Sequence, residues 1–290
     1  MPALLIKSAA IFSAPITFNT ALPVAKGEYL ARQQLIVNQS GKDQSPLARN
    51  RKSKTAVSVL GYGLNSKLAL FGILPVHNNS LSFNNANNTR TEQKASGLGD
   101  TTLFARYIVL QQNQRGQNFR LAPFAGIKAP TGEHNKRDTS GVLPASVQLG
   151  TGSWDPLFGI ISTYQTLDYQ LDAQLGYQLN TQANNVEAGD IARLDGSLQY
   201  RVWPGTLSGP VPGFLYAVME ANLIHQQRDR LNAISNKNSG GSRLFITPGI
   251  QYVTRRWIIE TALQIPVMQN LNGTGLENDY VARISGRFNF

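Results

Sequence analysis

Residues 279–290 alternate between apolar and polar side chains almost without interruption. The polar face of this stretch includes Arg283 and Arg287, and the other face consists of Tyr280, Ala282, Ile284, Gly286, Phe288 and Phe290. Side chains of a β-strand point to opposite faces with a period of two, so the pattern predicts a strand between two different environments. In a transmembrane barrel such a last strand pairs with the first, with aromatic residues at the membrane interface. An ordinary edge strand of a soluble sheet is the alternative.

The aromatic residue at the end of this stretch favours the membrane interpretation. Chain ends tend to fray into water, so a soluble sheet gains little from an apolar last residue. A final Phe after an alternating strand also resembles the signal by which bacterial outer-membrane proteins are recognised for assembly. We therefore expect Phe288 and Phe290 to serve barrel assembly and closure, with the barrel-assembly machinery as a partner.

The composition fits a barrel that faces lipid outside and water inside. Charged residues make up 15% and apolar residues 41% of the chain, below the roughly 25% and 45–50% of typical soluble domains. No stretch approaches the roughly 18 consecutive apolar residues of a transmembrane helix. The absence of cysteine excludes disulfides and thiolate metal sites.

The formal net charge of +10 indicates anionic partners. No nucleic-acid-binding pattern is present, so nucleic acid is not expected as a partner. The predicted partners are outer-membrane lipid, the phosphates of lipopolysaccharide and a small-molecule solute. The alternative is that the basic side chains in loops are exposed to solvent and have no specific partner.

Alternating segments recur along the chain, separated by polar stretches rich in Gly, Asn and Pro. A helical period of 3.6 residues fits none of the clearest windows. The sequence predicts an all-β fold, a transmembrane antiparallel up-and-down β-barrel of about 12 strands. The strands are expected near 28–38, 55–64, 67–75, 100–111, 117–128, 146–163, 166–179, 190–203, 213–226, 242–253, 256–267 and 279–290.

The connections between these strands alternate between long and short. Long outer loops and short periplasmic turns are typical of an outer-membrane barrel, and a soluble sandwich has no reason for that alternation. The outer loops are predicted at 39–54, 76–99, 129–145, 180–189, 227–241 and 268–278. Loop 76–99, with its Asn-rich tract, is long enough to fold into the lumen.

Residues 1–27 precede the predicted barrel, which spans 28–290. The first residues are apolar and include a run of small side chains, but Lys7 interrupts the apolar core that a signal peptide requires. We interpret 1–27 as a degenerate or truncated signal followed by a periplasmic lead-in. About 27 residues are few for an internal plug.

Three stretches carry a resemblance to a known family: Gly97–Tyr107 (GLGDTTLFARY), Ala122–Glu133 (APFAGIKAPTGE) and Leu149–Pro156 (LGTGSWDP). Together they resemble the bacterial outer-membrane family named for the MetA pathway of phenol degradation. The likeness extends from about Phe18 to the last residue. It implies an outer-membrane transporter barrel and gives no specific cargo.

The charged side chains of the predicted strands share one face, and the opposite apolar face is expected to contact lipid. A basic residue facing lipid at the midplane would cost about 2–4 kcal/mol, so the charged face is predicted to line the lumen. These residues either pair across strands into a rigid network or line a water-filled passage that prefers anions. The predicted set is Arg106, Arg120, Lys128, Asp168, Asp172, Arg193, Asp195, Arg201, Glu220, Glu260, Arg283 and Arg287.

No catalytic residue, metal site or cofactor is predicted. Outer-membrane lipases carry a His and a Ser two positions apart, and none of His77, His134 and His225 has a Ser at that distance. The sequence therefore predicts a channel in the bacterial outer membrane for the passive passage of small, aromatic or anionic solutes. A structural or surface-interaction barrel without an open pore is the alternative.

Overall fold

The structure, a computed structural model, describes residues 13–139, 141–183, 185–206 and 211–290. A closed antiparallel barrel of 12 strands forms its body, which confirms the predicted fold class. Strand β4 consists of three segments, since short breaks follow Leu98 and Tyr107. The strands are β1 Tyr29–Ser40, β2 Asn50–Gly63, β3 Leu68–Asn84, β4 Arg90–Leu98, Thr101–Tyr107 and Leu110–Gln114, β5 Gln117–Ala129, β6 Asp155–Thr166, β7 Tyr169–Gln178, β8 Ile191–Trp203, β9 Phe214–Gln226, β10 Gly241–Val253, β11 Trp257–Leu271 and β12 Tyr280–Asn289.

The barrel closes where β12 pairs with β1. Their register runs from Leu30 opposite Asn289 to Gln39 opposite Tyr280. Beyond it, Tyr29 and Phe290 exchange backbone hydrogen bonds of 2.7 and 3.0 Å, and their rings stack with centroids 5.7 Å apart. Closure therefore uses the pair of strands that the alternation in 279–290 predicts.

Apolar side chains cover the outer surface of the barrel. Leu35, Leu103 and Ile284, from three different strands, are each more than half exposed. Aromatic residues gather at the ends of the strands that short turns connect, as the interfacial girdle of an outer-membrane barrel requires: Tyr29, Tyr62, Tyr107, Tyr200, Trp203, Trp257, Phe288 and Phe290. Within the described residues, no helix is long and apolar enough to cross a membrane.

The predicted loop 76–99 is mostly strand, and that prediction was wrong. Strand β3 is 17 residues long, and its outer half pairs with β4 from Val76 opposite Leu98 to Asn84 opposite Arg90. Polar Asn and Ser occupy the outward positions here, beyond the apolar band, while Leu81 and Phe83 point inward. The pattern of an apolar outer face and a polar inner face is therefore reversed, although the strand continues.

The inward-folding loop is instead 130–154, the last part of which was predicted as strand. Leu143, Val147 and Leu149 pack in this loop against Leu81 and Ala95 on the inner face of β3 and β4. The amide of Asn79 also donates to the carbonyls of Val147 and Gln148 at 3.3 and 3.2 Å. Loop 130–154 therefore narrows the outer mouth of the barrel.

Four short strands and one isolated pair lie in the outer loops. A four-stranded sheet joins the loops before β8 and before β10, with strands Gln182–Ala183, Val186–Glu187, Arg230–Leu231 and Ile234–Ser235. Within loop 130–154, Arg137–Asp138 pairs with Gly141–Val142.

Residues 13–24 lie inside the barrel, where Ile16 and Ala21 are 1% and 0% exposed. The expectation of a periplasmic lead-in too short for a plug is wrong for this described part, because an extended chain needs few residues to cross the lumen. The signal interpreted in the first residues falls on 1–12, which lie outside the described residues.

Phe290→Asp should lower the level of folded barrel in the outer membrane several-fold, if this residue serves assembly. The side chain is exposed beside Tyr29, and a charge near the interface costs only about 0–1 kcal/mol. The refolded variant should therefore unfold in urea within about 1–2 kcal/mol of the wild type, once the lost ring stacking is included. Immunoblots of membrane fractions, with Phe290→Tyr as the control, measure the level. Wild-type amounts of Phe290→Asp would contradict the assembly role.

Candidate functional site

Two carboxylates of the lumen wall bind the segment 13–24. The Glu220 carboxylate accepts hydrogen bonds from the amides of Ile16 and Thr17 at 2.6 and 3.1 Å and from the Thr17 hydroxyl. Asp172 accepts from the Thr20 hydroxyl at 2.9 Å. Backbone amides buried away from water need acceptors, and charged acceptors give the stronger bonds. Both predicted lumen residues therefore hold the segment in place.

Two arginines bind carbonyl groups of the same segment. Arg106 donates to the carbonyl of Leu22 at 2.5 Å and to that of Thr20. Arg32 donates to the carbonyl of Ile16 at 2.7 Å and to Glu260 at 2.5 Å. The segment is therefore held by side chains on several strands, without a strand partner of its own among the described residues.

Apolar contacts complete the attachment of the segment. Ile16 packs on Val218 and Ala262, and Val24 packs in a cluster with Phe71 and Phe104. Burial of a side chain of this size contributes about 1.5–3 kcal/mol. The segment is thus bound by both hydrogen bonds and apolar burial.

A cavity of about 300 Å³ remains between the segment and the wall, which here consists of β1 to β4, β7, β8 and β12. Its wall side is apolar, and it is formed by Leu30, Val57, Val59, Phe71, Ile73 and Phe104. Its charged lining consists of Arg32, Arg106, Arg193 and Arg287, with no acidic residue among the described side chains that line it. The Arg106 guanidinium lies 4.8 Å from the ring centroid of Phe71. One face of the cavity is therefore apolar and another is cationic.

The predicted pairing of lumen charges occurs at part of the wall. Asp195 pairs with Arg193 at 3.0 Å, while Arg283 donates to Gln264 and Gln34 at 2.9 and 3.2 Å. The Nε atoms of Arg120 and Arg287 are buried without a hydrogen-bond partner among the described residues. Arg120 and Arg287 therefore keep unsatisfied hydrogen-bond donors in the lumen wall, within the described part of the chain.

Asp168 and Arg201 lie at the periplasmic rim rather than along the lumen. Arg201 donates to the Asp168 carboxylate and to the carbonyls of Leu167 and Pro204 at 3.2 and 2.6 Å. The Asp168 side chain is 64% exposed. The prediction for Asp168 was wrong. The alternation of β7 extends back into the turn before Tyr169, where Asp168 lies and where strand geometry does not direct a side chain inward.

Lys128 lies at the outer end of β5, between two carboxylates. It pairs with Asp155 at 2.6 Å and lies 3.7 Å from Asp100. Asp100 in turn accepts from the amides of Gly132 and Thr151 at 3.0 and 2.8 Å. These residues come from the three stretches that carry the family resemblance, so those stretches meet at one anchor for loop 130–154.

Sequence reasoning missed Arg32 and the apolar wall of the cavity. Strand β1 carries apolar and polar residues on both faces, so its alternation does not reveal which face points inward. The register could have revealed it, because Arg32 lies opposite Arg287, and directly opposed residues share a face.

Comparison with known families shows to which family this chain is related. A sequence profile of the family described as "Putative MetA-pathway of phenol degradation" matches residues 50–264, more than half of the chain. The matched range includes the Asp100, Lys128 and Asp155 anchor. The chain belongs to this family. The prediction made from the three stretches is confirmed.

A solved outer-membrane channel shares the fold of this family member. The COG4313 outer membrane channel from Pseudomonas putida F1 aligns with a TM-score of 0.72 and 13% identity, over 96% of this chain and all of that chain. The β domain of the Bordetella autotransporter BrkA aligns with a TM-score of 0.49 and 12% identity, over 91% of this chain and 100% of its own. No protein of curated function matches in sequence. The barrel and its lipid-facing surface place this family member in the outer membrane.

Lys128→Met should destabilise the barrel by about 3–5 kcal/mol, because it leaves a buried carboxylate without its counterion. Asp155 has a side-chain exposure of 0%. Lys136→Met is the matched control, since its pair with Glu133 is exposed and contributes about 0–1 kcal/mol. Urea unfolding of the refolded proteins measures both. Equal effects of the two substitutions would contradict the anchoring role of Lys128.

Proposed function

We propose that this protein is an outer-membrane channel for the passive passage of small organic solutes, aromatic or anionic, through its charged lumen. The observation that carries the proposal is the cavity beside segment 13–24, apolar on one face and lined by arginines on another. Such a lining accommodates a solute with an apolar body and a negative group.

The dimensions of this cavity suit a small aromatic molecule. Its volume of about 300 Å³ is about twice that of an engineered cavity of ~150 Å³ that holds benzene. Arginine side chains interact favourably both with carboxylates and with aromatic faces. The arrangement therefore favours an aromatic or short aliphatic carboxylate over a simple sugar.

Segment 13–24 is the constriction of the proposed passage. Its attachment combines apolar burial with individual hydrogen bonds, several of them to Glu220 and Arg106. Bonds to charged groups contribute about 1.5–3 kcal/mol each, so loss of a few of them would allow the segment to leave. A barrel that stays closed and serves a structural or surface-interaction role is the second candidate, because both this segment and loop 130–154 occupy the lumen.

Glu220→Ala should increase the single-channel conductance or the open probability about tenfold or more, because three hydrogen bonds to the segment are lost. The measurement is conductance of the refolded protein in a planar bilayer, with selectivity read from the reversal potential in a salt gradient. Anion preference is expected from the arginine lining.

Glu187→Ala is the matched control, because Glu187 pairs with Arg230 in the outer loops at 3.0 Å, away from the segment. Its conductance should equal that of the wild type. Folded protein without any conductance, both in the wild type and in Glu220→Ala, would overturn the channel and favour the closed barrel.

A further inference from the structure

Two arginines that are not in the predicted set line one cavity at the outer mouth of the barrel. Arg51 is at the outer end of β2, and its burial alternates with exposed Lys52, so it points inward. Arg243 is at the outer end of β10. Both line one cavity of about 480 Å³, whose apolar lining consists of Leu47, Leu81, Phe83, Pro144 and Leu276.

Neither guanidinium has a partner among the residues that the structure describes. Within the described parts of the chain, Arg51 and Arg243 form no hydrogen bond or ion pair, and the Nε atom of each is buried. Arg49 in the same cavity differs, because it binds Asp43 through two bonds of 2.7 and 2.9 Å. The mouth therefore has two uncommitted positive charges.

Asp229, the acidic residue of the described lining, forms no ion pair with either arginine. Asp229 accepts hydrogen bonds from the amide of Gly189 at 2.8 Å and from the Gln226 side chain at 3.3 Å. Like charges that share a partly desolvated space repel each other, and a bound anion removes that cost. The two arginines thus make the cavity electrostatically favourable for an anion.

We infer that this cavity is a capture site for organic carboxylates, with Arg51 and Arg243 binding the carboxylate and the Phe83 wall binding the apolar body. Guanidinium groups bind carboxylates through paired, charge-assisted hydrogen bonds, and an apolar wall orients the remainder of the ligand. The inference rests on the proposed channel, for which this site would select solutes before they reach the lumen cavity.

The test is calorimetric titration of the purified, detergent-solubilised protein with sodium benzoate. Wild-type protein should bind benzoate, whereas Arg51→Gln and Arg243→Gln should each weaken binding about tenfold or more, as the loss of a charge-assisted bond implies. Lys52→Gln is the matched control, because it removes the same charge from the neighbouring exposed position of the same strand, and it should bind as the wild type does. Resistance of each variant to unfolding in cold SDS confirms that the barrel is folded.

Two further probes examine the chemistry of the site. Benzyl alcohol, which has the ring without the charge, should not bind measurably, and inorganic phosphate should bind more weakly than benzoate. Phe83→Ala should weaken the binding of benzoate and leave the binding of phosphate unchanged. Phosphate binding as tight as that of benzoate would overturn the organic carboxylate and favour lipopolysaccharide phosphate.

Calorimetry and conductance separate the two proposals. If benzoate binding depends on Arg51 and Arg243 but the barrel shows no conductance, the proposed binding site is retained and the proposed channel function is overturned. Conductance without benzoate binding, or binding that Lys52→Gln weakens as much as Arg51→Gln does, would overturn the site and retain the channel.

Discussion

Every backbone polar group that faces a bilayer must find its partner within the protein, because lipid offers none. The pairing of β12 with β1 meets this requirement, since it leaves no open sheet edge between Leu30 and Asn289. Closure then creates an interior that must be filled by side chains, water or another part of the chain. The polar and charged inner face, and the segment that crosses it, follow from that single pairing.

The charges of the inner wall bind the chain's own backbone as much as each other. Glu220 binds amides and Arg106 binds carbonyls of segment 13–24, so each charge meets one end of the peptide dipoles. A network of carboxylates and guanidinium groups paired only across strands would fill the barrel permanently. In the channel that we propose, charges directed at a segment of the chain leave the interior open to change, because water or a solute with similar groups replaces the segment.

The sequence predicts the fold where the apolar face of a strand points outward, and it fails where that pattern ends. In strands β7 and β12 an apolar outer face alternates with a mostly polar inner face, on which Asp172 and Arg287 are buried. The outer half of β3 carries polar residues outward, so it was predicted as loop. The position of segment 13–24 has no periodic signal at all, since an extended chain bound by side chains from many strands depends on contacts distant in sequence.

The lumen cavity and the outer cavity share one chemistry, although different strands build them. Each combines an apolar wall, around Phe71 or Phe83, with arginines that lack full pairing, Arg287 or Arg51. An inorganic anion would form contacts only with the arginines, and a neutral hydrocarbon would form contacts only with the apolar wall. Passage between two such sites requires that neither binds too tightly, because a solute must leave each site as readily as it enters. Two sites of moderate affinity meet that requirement better than one site of high affinity would. At the inner site, segment 13–24 competes with the solute for the same side chains.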